Sequence, residues 1–420
     1  MESRRTFLKM AAAAGTLSRS VLGANDRVQM GIIGTGTRGM RDHTCFKAHQ
    51  DAVFVAAAEV DKTRLAKALE RIGKVDTYDD YRKLLDRKDV DAVLVTTPDH
   101  WHSQIVIDAV AAGKDIYCEK PVSNTVERAQ KMLWAVQQSK QVVQVGMQQR
   151  SWDHFQEACK IVQSGVLGEI THVAVQFPGG YGNTPDPVTD PPATLDWNMW
   201  QGPAPRHGYQ FTRQRRWRAY YDYGGGLVTD WGVHLVDIAH WYMKADHKAP
   251  LRTSASAQYI SFQDPDLAEL PDTFSISWKY DNFVMTFVNS EYDTPEFESW
   301  GTYFYGKDGA LQVNRQGWRM NPYIPRRINM PKSAIANPYA QHEHKPAFEA
   351  KLYLNPNGGV EVDYPTIAHV GNFLDCVKSR EQPIAHMDIG FHSSLPCLLA
   401  VEAIRQQRTI LWDGETATAA

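Results

Sequence analysis

The 420-residue sequence predicts an α/β protein: an N-terminal doubly wound parallel sheet followed by an α+β domain built on a large, mostly antiparallel open sheet. Three observations predict it. Short apolar runs alternate with amphipathic stretches up to about residue 148, the pattern that gives a parallel sheet with helices on both faces. A glycine-rich turn joins the first run to the first helix. Beyond about Arg150, glycine, proline and aromatic residues concentrate between Pro178 and Tyr223, and longer β-rich segments follow.

The elements follow in order. Val28-Gln29-Met30-Gly31-Ile32-Ile33 reads as a short buried strand, and Gly34 to Gly39 turns the chain into a helix starting near Met40. A second strand is expected within Ala52 to Val60, with helices over Lys62 to Ile72 and around Asp79 to Asp86. Strand Ala92 to Val95, helix Ser103 to Ala112, strand Asp115 to Cys118, helix Val126 to Ser139 and strand Val142 to Val145 complete the first half. In the second, Thr253 to Phe262, Thr273 to Tyr280 and Asn282 to Asn289 read as strands, and Ser394 to Arg405 as a helix near the end. The expected divisions are 1–24, 25–148 and 149–420, and the wide sheet of the last suits a homo-oligomer, a dimer or tetramer.

A formal net charge of −3 supplies no basic field for gathering nucleic acid or an anionic membrane surface. Small molecules are the expected partners, with no nucleic acid and no membrane span. The five cysteines, Cys45, Cys118, Cys159, Cys376 and Cys397, show no C-x-x-C spacing, so neither a disulfide framework nor a zinc knuckle is indicated. At the N-terminus, Ser3-Arg4-Arg5-Thr6-Phe7-Leu8-Lys9 places paired arginines before the weakly apolar run Met10 to Leu17, with Gly23 and Ala24 beyond. This is similar to a twin-arginine export signal, which implies cleavage after Ala24 and a periplasmic location. Such transport moves folded proteins with their cofactors already captured. A dinucleotide carried out this way has no pool to exchange with.

Gly34-Thr35-Gly36-Thr37-Arg38-Gly39 fits G-x-G-x-x-G, and its position after a strand and before a helix gives that short motif its specificity. Gly34 permits the turn, Gly36 lets backbone approach a pyrophosphate, and Gly39 lets helix meet strand, as in a Rossmann domain. The N-H groups of the loop and helix start, including Thr37 and Arg38, face the phosphates. Glu59, at the end of the second strand, can accept both adenosine ribose hydroxyls and would repel a 2'-phosphate, which predicts NAD(H) over NADP(H). Asp61 can do likewise or cap the next helix.

Thr97-Pro98-Asp99-His100-Trp101-His102 and Cys118-Glu119-Lys120-Pro121 stand at the carboxyl ends of later strands, where doubly wound sheets place ligands. Thr97, Pro98, His102, Glu119 and Lys120 are therefore expected beside the cofactor, with His102 near its nicotinamide. Further on, the run from Tyr223 to Asp237 sets Asp230 and His234 four apart on one face of a predicted helix, a spacing that lets a carboxylate orient an imidazole. The glycine loop, Glu119-Lys120-Pro121 and the run Gly-Gly-Gly-x-x-x-Asp-x-Gly-x-His-x-x-Asp starting at Gly224 resemble the glucose-fructose oxidoreductase, inositol dehydrogenase and MocA family (Gfo/Idh/MocA) over nearly all of the chain after the signal. That resemblance implies catalytic roles for Lys120, Asp230 and His234. The chemistry agrees: oxidising a secondary alcohol needs a base for the hydroxyl proton, for which His234 is the candidate, with Asp230 orienting it and Lys120 holding the reacting oxygen.

Sugars bind against aromatic faces and paired donors, so Trp197, Trp200, Arg206, Tyr209, Arg213 and Trp217, with Asp237, form the candidate substrate wall. The insert from Asp196 to Pro203 resembles exported, sugar-acting branches of the family. No metal is expected, because His100-Trp101-His102 and His342-Glu343-His344 offer H-x-H without an identifiable third ligand. The expected function is NAD(H)-dependent oxidation of a sugar or glycoside with a tightly held, internally recycled cofactor. The alternative is redox-neutral hydrolysis, in which oxidation at C3 acidifies the C2 hydrogen, the aglycone is eliminated, water adds and the ketone is reduced. The NAD-dependent glycosidases of glycoside hydrolase family 109 resemble this chain in export signal and domain plan.

Overall fold

Strand β1 (Val28–Ile33) is buried almost throughout, as the middle of a parallel sheet covered on both faces must be. The computed structural model describes residues 27–181, 186–260, 269–289, 300–322, 342–344, 353–355, 359–362 and 364–420; the predicted export signal lies outside them. After β1 come α1 (Thr37–Phe46), β2 (Ala52–Ala58), α2 (Lys62–Ile72), β3 (Asp76–Tyr78), α3 (Tyr81–Leu85), β4 (Ala92–Val95), α4 (Asp99–Ala111), β5 (Asp115–Cys118), α5 (Val126–Gln137) and β6 (Val143–Val145). The six strands pair in parallel in the order β3-β2-β1-β4-β5-β6. The strand order reverses between β1 and β4, which opens a crevice outside their carboxyl ends.

Local chemistry sets several boundaries. Asp61, Asp80 and Thr125 cap α2, α3 and α5 by accepting from N-H groups of their first turns. Helix α4 begins at Asp99, four residues before the periodicity predicts. The polar residues Asp99, His100 and His102 break the apolar pattern, yet all are buried. The aromatic insert of the second domain covers that end of the helix: His100 and Trp101 both reach the Trp200 carbonyl, at 3.1 and 2.9 Å.

The second part contains α6 (Asp153–Gln163), β7 (Ile170–Gln176), α7 (Trp197–Gln201), α8 (Phe211–Arg215), α9 (Gly226–Asp230), α10 (Gly232–Tyr242), β8 (Arg252–Gln258), β9 (Thr273–Lys279), β10 (Val284–Val288), β11 (Gly301–Gly306), β12 (Gly309–Asn314), β13 (Gly317–Pro322), β14 (His342–His344), β15 (Tyr353–Asn355), β16 (Gly359–Val362), α11 (Tyr364–Ser379), α12 (Met387–Gln406), β17 (Ile410–Trp412) and β18 (Ala417–Ala419). Ten strands form one sheet in the order β14-β13-β12-β11-β7-β10-β9-β8-β17-β18. Among the described residues β7 and β10 are its parallel pair; the other neighbours run antiparallel. In β9, Phe274, Ile276 and Trp278 are buried while Ser275, Ser277 and Lys279 are exposed, the alternation of a sheet covered on one side. Helices α10 and α12 supply that cover, with the Trp278 indole donating to the Pro396 carbonyl and the Thr302 hydroxyl to that of Leu235.

Two C-terminal elements tie the parts together. Helix α11, although late in the chain, packs on the first sheet: Val370, Phe373 and Leu374 share a core with Met30, Ile32, Phe46 and Tyr117. The chain then crosses the edge of β6, where Val145 donates to the Ala385 carbonyl at 2.8 Å, and enters α12. That helix starts at Met387, ahead of the predicted Ser394, and runs through Pro396. Gly390 and the serines weaken the local helical signal, and burial overrides it. Among the described residues α12 is also the one helix long and apolar enough to cross a membrane. It is mostly buried here, so its apolar character belongs to the core.

Candidate active site

The crevice outside β1 and β4 is a cleft of about 500 Å³. Gly34 leaves β1 at φ +89°, a backbone region that favours glycine. Gly39 sits where α1 crosses the strand: a Cβ there would lie 2.4 Å from the Gly34 carbonyl oxygen and 2.5 Å from Thr96 Oγ1. No side chain caps α1. Its first N-H groups are left for an anion, and the residues fit a dinucleotide pyrophosphate.

Glu59 is more committed than its sequence position implies. Its Oε2 accepts from the Thr35 amide at 2.8 Å and the Thr35 hydroxyl at 3.1 Å, and its Oε1 from the amides of Val60 and Asp61 at 3.0 and 3.2 Å. Those four donors match the acceptor capacity of a carboxylate. Glu59 therefore fastens the glycine loop to the end of β2, and a ribose hydroxyl would have to replace one of these donors. Asp61 caps α2 and pairs with Arg64 at 3.5 Å. Arg38 reaches across to Glu119 at 2.7 Å and back to Asp42 at 3.0 Å.

Lys120 follows β5, and the Lys120–Pro121 peptide is cis. Its Nζ donates to Asp230 Oδ1 and to the Asp230 carbonyl, each at 2.7 Å. Arg218 Nε stands 3.1 Å from the same Oδ1, and the Tyr181 hydroxyl donates to Oδ2. Burial alone would raise the Asp230 pKa, but the charges of Lys120 and Arg218 and the donated hydrogen bonds hold it well below the usual carboxylate range.

The predicted Asp230–His234 pair is corrected. The helix is interrupted at Trp231, so Asp230 ends α9 and His234 belongs to α10. Among the described residues no hydrogen bond joins them: the carboxylate is taken by Lys120, Arg218 and Tyr181, and His234 Nδ1 is buried without a partner. Burial, reinforced by the charges of Lys120 and Arg315, pushes the His234 pKa well below its ordinary value. The imidazole is neutral, the form that can take a proton.

Of the predicted site residues, Gly34, Gly36, Thr37, Arg38, Glu59, Thr97, Pro98, His102, Glu119, Lys120, Trp200, Trp217, Asp230 and His234 line the cleft. The His102 ring lies between the carbonyls of Thr97 and Pro121, at 2.9 and 2.7 Å. Gly39 stands behind the loop. The remaining substrate-wall assignments are corrected. Trp197 stacks on Trp200 with centroids 4.7 Å apart and meets Tyr209 edge-on, so the insert builds its own small core. Arg206 donates to the Asn198 carbonyl away from the cleft, and Arg213 lies over the Tyr220 ring and pairs with Glu269. Asp237 is buried against Arg150, 2.8 Å from its Nε. Each of these side chains finds its contacts within the protein, although Arg213 Nη1 is buried without a hydrogen-bond partner.

Sequence reasoning misses three contributors: Asp99, Arg218 and Arg315. Local pattern gives no reason to separate Arg218 from Arg213, Arg215 and Arg216. Asp99 lines the cleft at 3% exposure, and burial raises its pKa to about 8 despite the charges of Arg218 and Lys120.

A crevice of this kind, with a tethered lysine and a neutral histidine on its rim, suits a nicotinamide dinucleotide, which when bound would supply hydride chemistry. The sequence comparisons agree. Residues 28–147 match the oxidoreductase-family model for an NAD-binding Rossmann fold, and residues 153–314 match that family's C-terminal alpha/beta domain. The chain belongs to the Gfo/Idh/MocA family, and its first domain is an NAD-binding Rossmann domain.

Among curated relatives, the levoglucosan dehydrogenase of Pseudarthrobacter phenanthrenivorans is 28% identical over 223 residues, covering 51% of this chain and 50% of that protein. An inositol 2-dehydrogenase of Serratia proteamaculans is 36% identical over 159 residues, covering 36% and 46%. The chain thus matches about half the length of these relatives. Among solved structures, a levoglucosan dehydrogenase in complex with NADH and levoglucosan superposes with TM-score 0.66 at 19% identity, covering 92% of this chain and 99% of that one. An oxidoreductase domain protein from Kribbella flavida gives 0.67 at 18% identity, covering 91% and 98%. These structures share the fold.

Proposed function

We propose that this protein oxidises a secondary hydroxyl of a sugar or glycoside with NAD as a resident cofactor. The observation that carries this reading is the convergence of Lys120, Asp230 and His234 on the cleft that contains the glycine loop. An ammonium has three donors, and Asp230 takes two of those of Lys120, leaving one for the substrate oxygen. Neutral His234 accepts the hydroxyl proton as the carbonyl forms. Sugar dehydrogenases among the relatives support a polyhydroxylated substrate. The arginine pair near the N-terminus supports twin-arginine export to the periplasm, and hence a cofactor recycled on the enzyme. The outer face of the ten-stranded sheet, with Tyr303 and Tyr305 stacked on it, is the surface on which a dimer or tetramer would form.

The test is to denature the purified protein, assay the extract for NAD(H), and screen the intact holoenzyme against sugars and glycosides for reduced-nicotinamide absorbance. Cofactor reduction by one class of sugar supports the reading. Protein that contains NAD yet shows no spectral change with any sugar or glycoside overturns it.

Asp99 favours a second reading, redox-neutral glycoside hydrolysis. A carboxyl kept protonated near neutral pH beside Lys120 and Arg218 suits protonation of a departing aglycone. Release of nitrophenol from a nitrophenyl glycoside without added NAD favours hydrolysis; accumulation of a keto-sugar favours net oxidation.

A further inference from the structure

We propose that His247, Asp388 and His392 form a zinc site that fastens the turn after α10 to the start of α12. One candidate ligand atom from each residue lies within 4.8 Å of the other two. The two oxygens of the Asp388 carboxylate face different imidazoles: His247 Nδ1 is hydrogen-bonded to Oδ2, and His392 Nδ1 lies 3.5 Å from Oδ1. Asp388 and His392 are one turn apart on α12, whereas His247 arrives from another element. None of the three lines the active-site cleft.

The donors suit zinc. Two imidazoles and a carboxylate form a borderline N/O set, and tetrahedral Zn²⁺ would bring the ligand atoms to about 3.4 Å from one another. The required contraction is small. His247 is 66% exposed and can turn without disturbing the core, while Asp388 and His392 are partly buried at 29% and 18%. The His386 ring stands nearly parallel to that of His247, with centroids 6.2 Å apart, and water can take the fourth position.

Charge does not oppose the cation. Arg150, whose charge reaches His386, is held between Asp237 and Asp246 at 2.7 and 2.6 Å. A lone ion pair would need one imidazole for Asp388, yet two meet it. Protonated together they would repel one another, whereas one divalent cation satisfies the carboxylate and neutral imidazoles at once. Ser393, adjacent to His392, donates to Asp237 of α10 at 2.9 Å. Zinc would therefore reinforce an existing junction between α12 and the helix that carries His234. The role is structural.

The test uses untagged, chelator-stripped holoenzyme dialysed against zinc sulfate, with zinc per chain measured by elemental analysis and melting followed with and without zinc. One zinc per chain and a zinc-dependent rise in melting temperature are expected. His247→Ala changes an exposed side chain and Asp388→Asn is nearly isosteric; each should weaken zinc binding at least about tenfold and abolish the melting shift, with NAD(H) content unchanged. Absence of stoichiometric zinc in the wild type overturns the proposal. So does zinc binding in either variant that equals the wild type.

Discussion

Lys120 is bound twice by the same aspartate: its Nζ donates to the carboxylate and to the backbone carbonyl of Asp230, each at 2.7 Å. Two contacts from one residue fix the direction of the ammonium as well as its position. The remaining proton-bearing site on the nitrogen is left for a ligand oxygen.

Removing that ammonium should cost turnover without costing the fold, because Asp230 keeps Arg218 and Tyr181. Lys120→Met and His234→Ala are each expected to lower kcat by about 10²–10⁴-fold, the usual contribution of a positioned acid or base. Fluorescence titration with NADH should show cofactor binding retained. Wild-type turnover in both variants would remove these residues from the chemistry.

Glu59→Gln tests the fastening of the glycine loop. The amide retains one acceptor oxygen but cannot serve all four donors that meet the carboxylate. Losing one or two such bonds should weaken NAD(H) binding by roughly tenfold, about 1.4 kcal/mol. The NAD(H) content of purified protein should fall, and discrimination against NADP(H) should narrow as the negative charge is removed.

Asp99 makes stability depend on pH in a predictable direction. Its pKa is raised from 3.8 to about 8 in the folded protein. Below pH 4 both states hold the proton; as pH rises toward 8 the unfolded chain releases it while the folded protein keeps it, so this group's contribution to stability declines across that window. Asp99→Asn lacks this dependence. Relative to wild type, its melting temperature should therefore rise progressively between pH 4 and 8. A constant difference across that range would show that Asp99 is not held protonated.

Asp237→Asn separates a structural role from a substrate-binding one. The change removes one of the two carboxylates that neutralise buried Arg150, and breaking such a pair costs about 3 kcal/mol or more. Chemical denaturation should show that loss, while KM of the folded enzyme stays near the wild-type value. A selective rise in KM with unchanged stability would return Asp237 to the substrate site.

Legibility followed the range of the interactions. The glycine loop and the six parallel strands were readable because turn conformation, burial and helical period act over a few residues. The starts of α4 and α12 escape local pattern for the opposite reason: Asp99, His100 and Gly390 look unfavourable locally and are accommodated by burial against distant elements. Trp197 and Tyr209 have the composition of a sugar wall, but composition does not say which way a ring faces, and these rings pack edge-on against each other.

By itself the sequence determined the nucleotide-binding architecture: a strand, Gly34 to Gly39 and a helix leave little freedom in how the backbone turns or where its amides point. Only the tertiary structure decided that Asp230 serves Lys120, 110 residues away, in place of His234, which is four residues away. It likewise decided that His247 meets Asp388. The break at Trp231 separates Asp230 from its helical neighbour, and packing of β5, α10 and α12 around the common core supplies the partners. Distances between side chains from remote elements are set by that packing, and no local pattern encodes them.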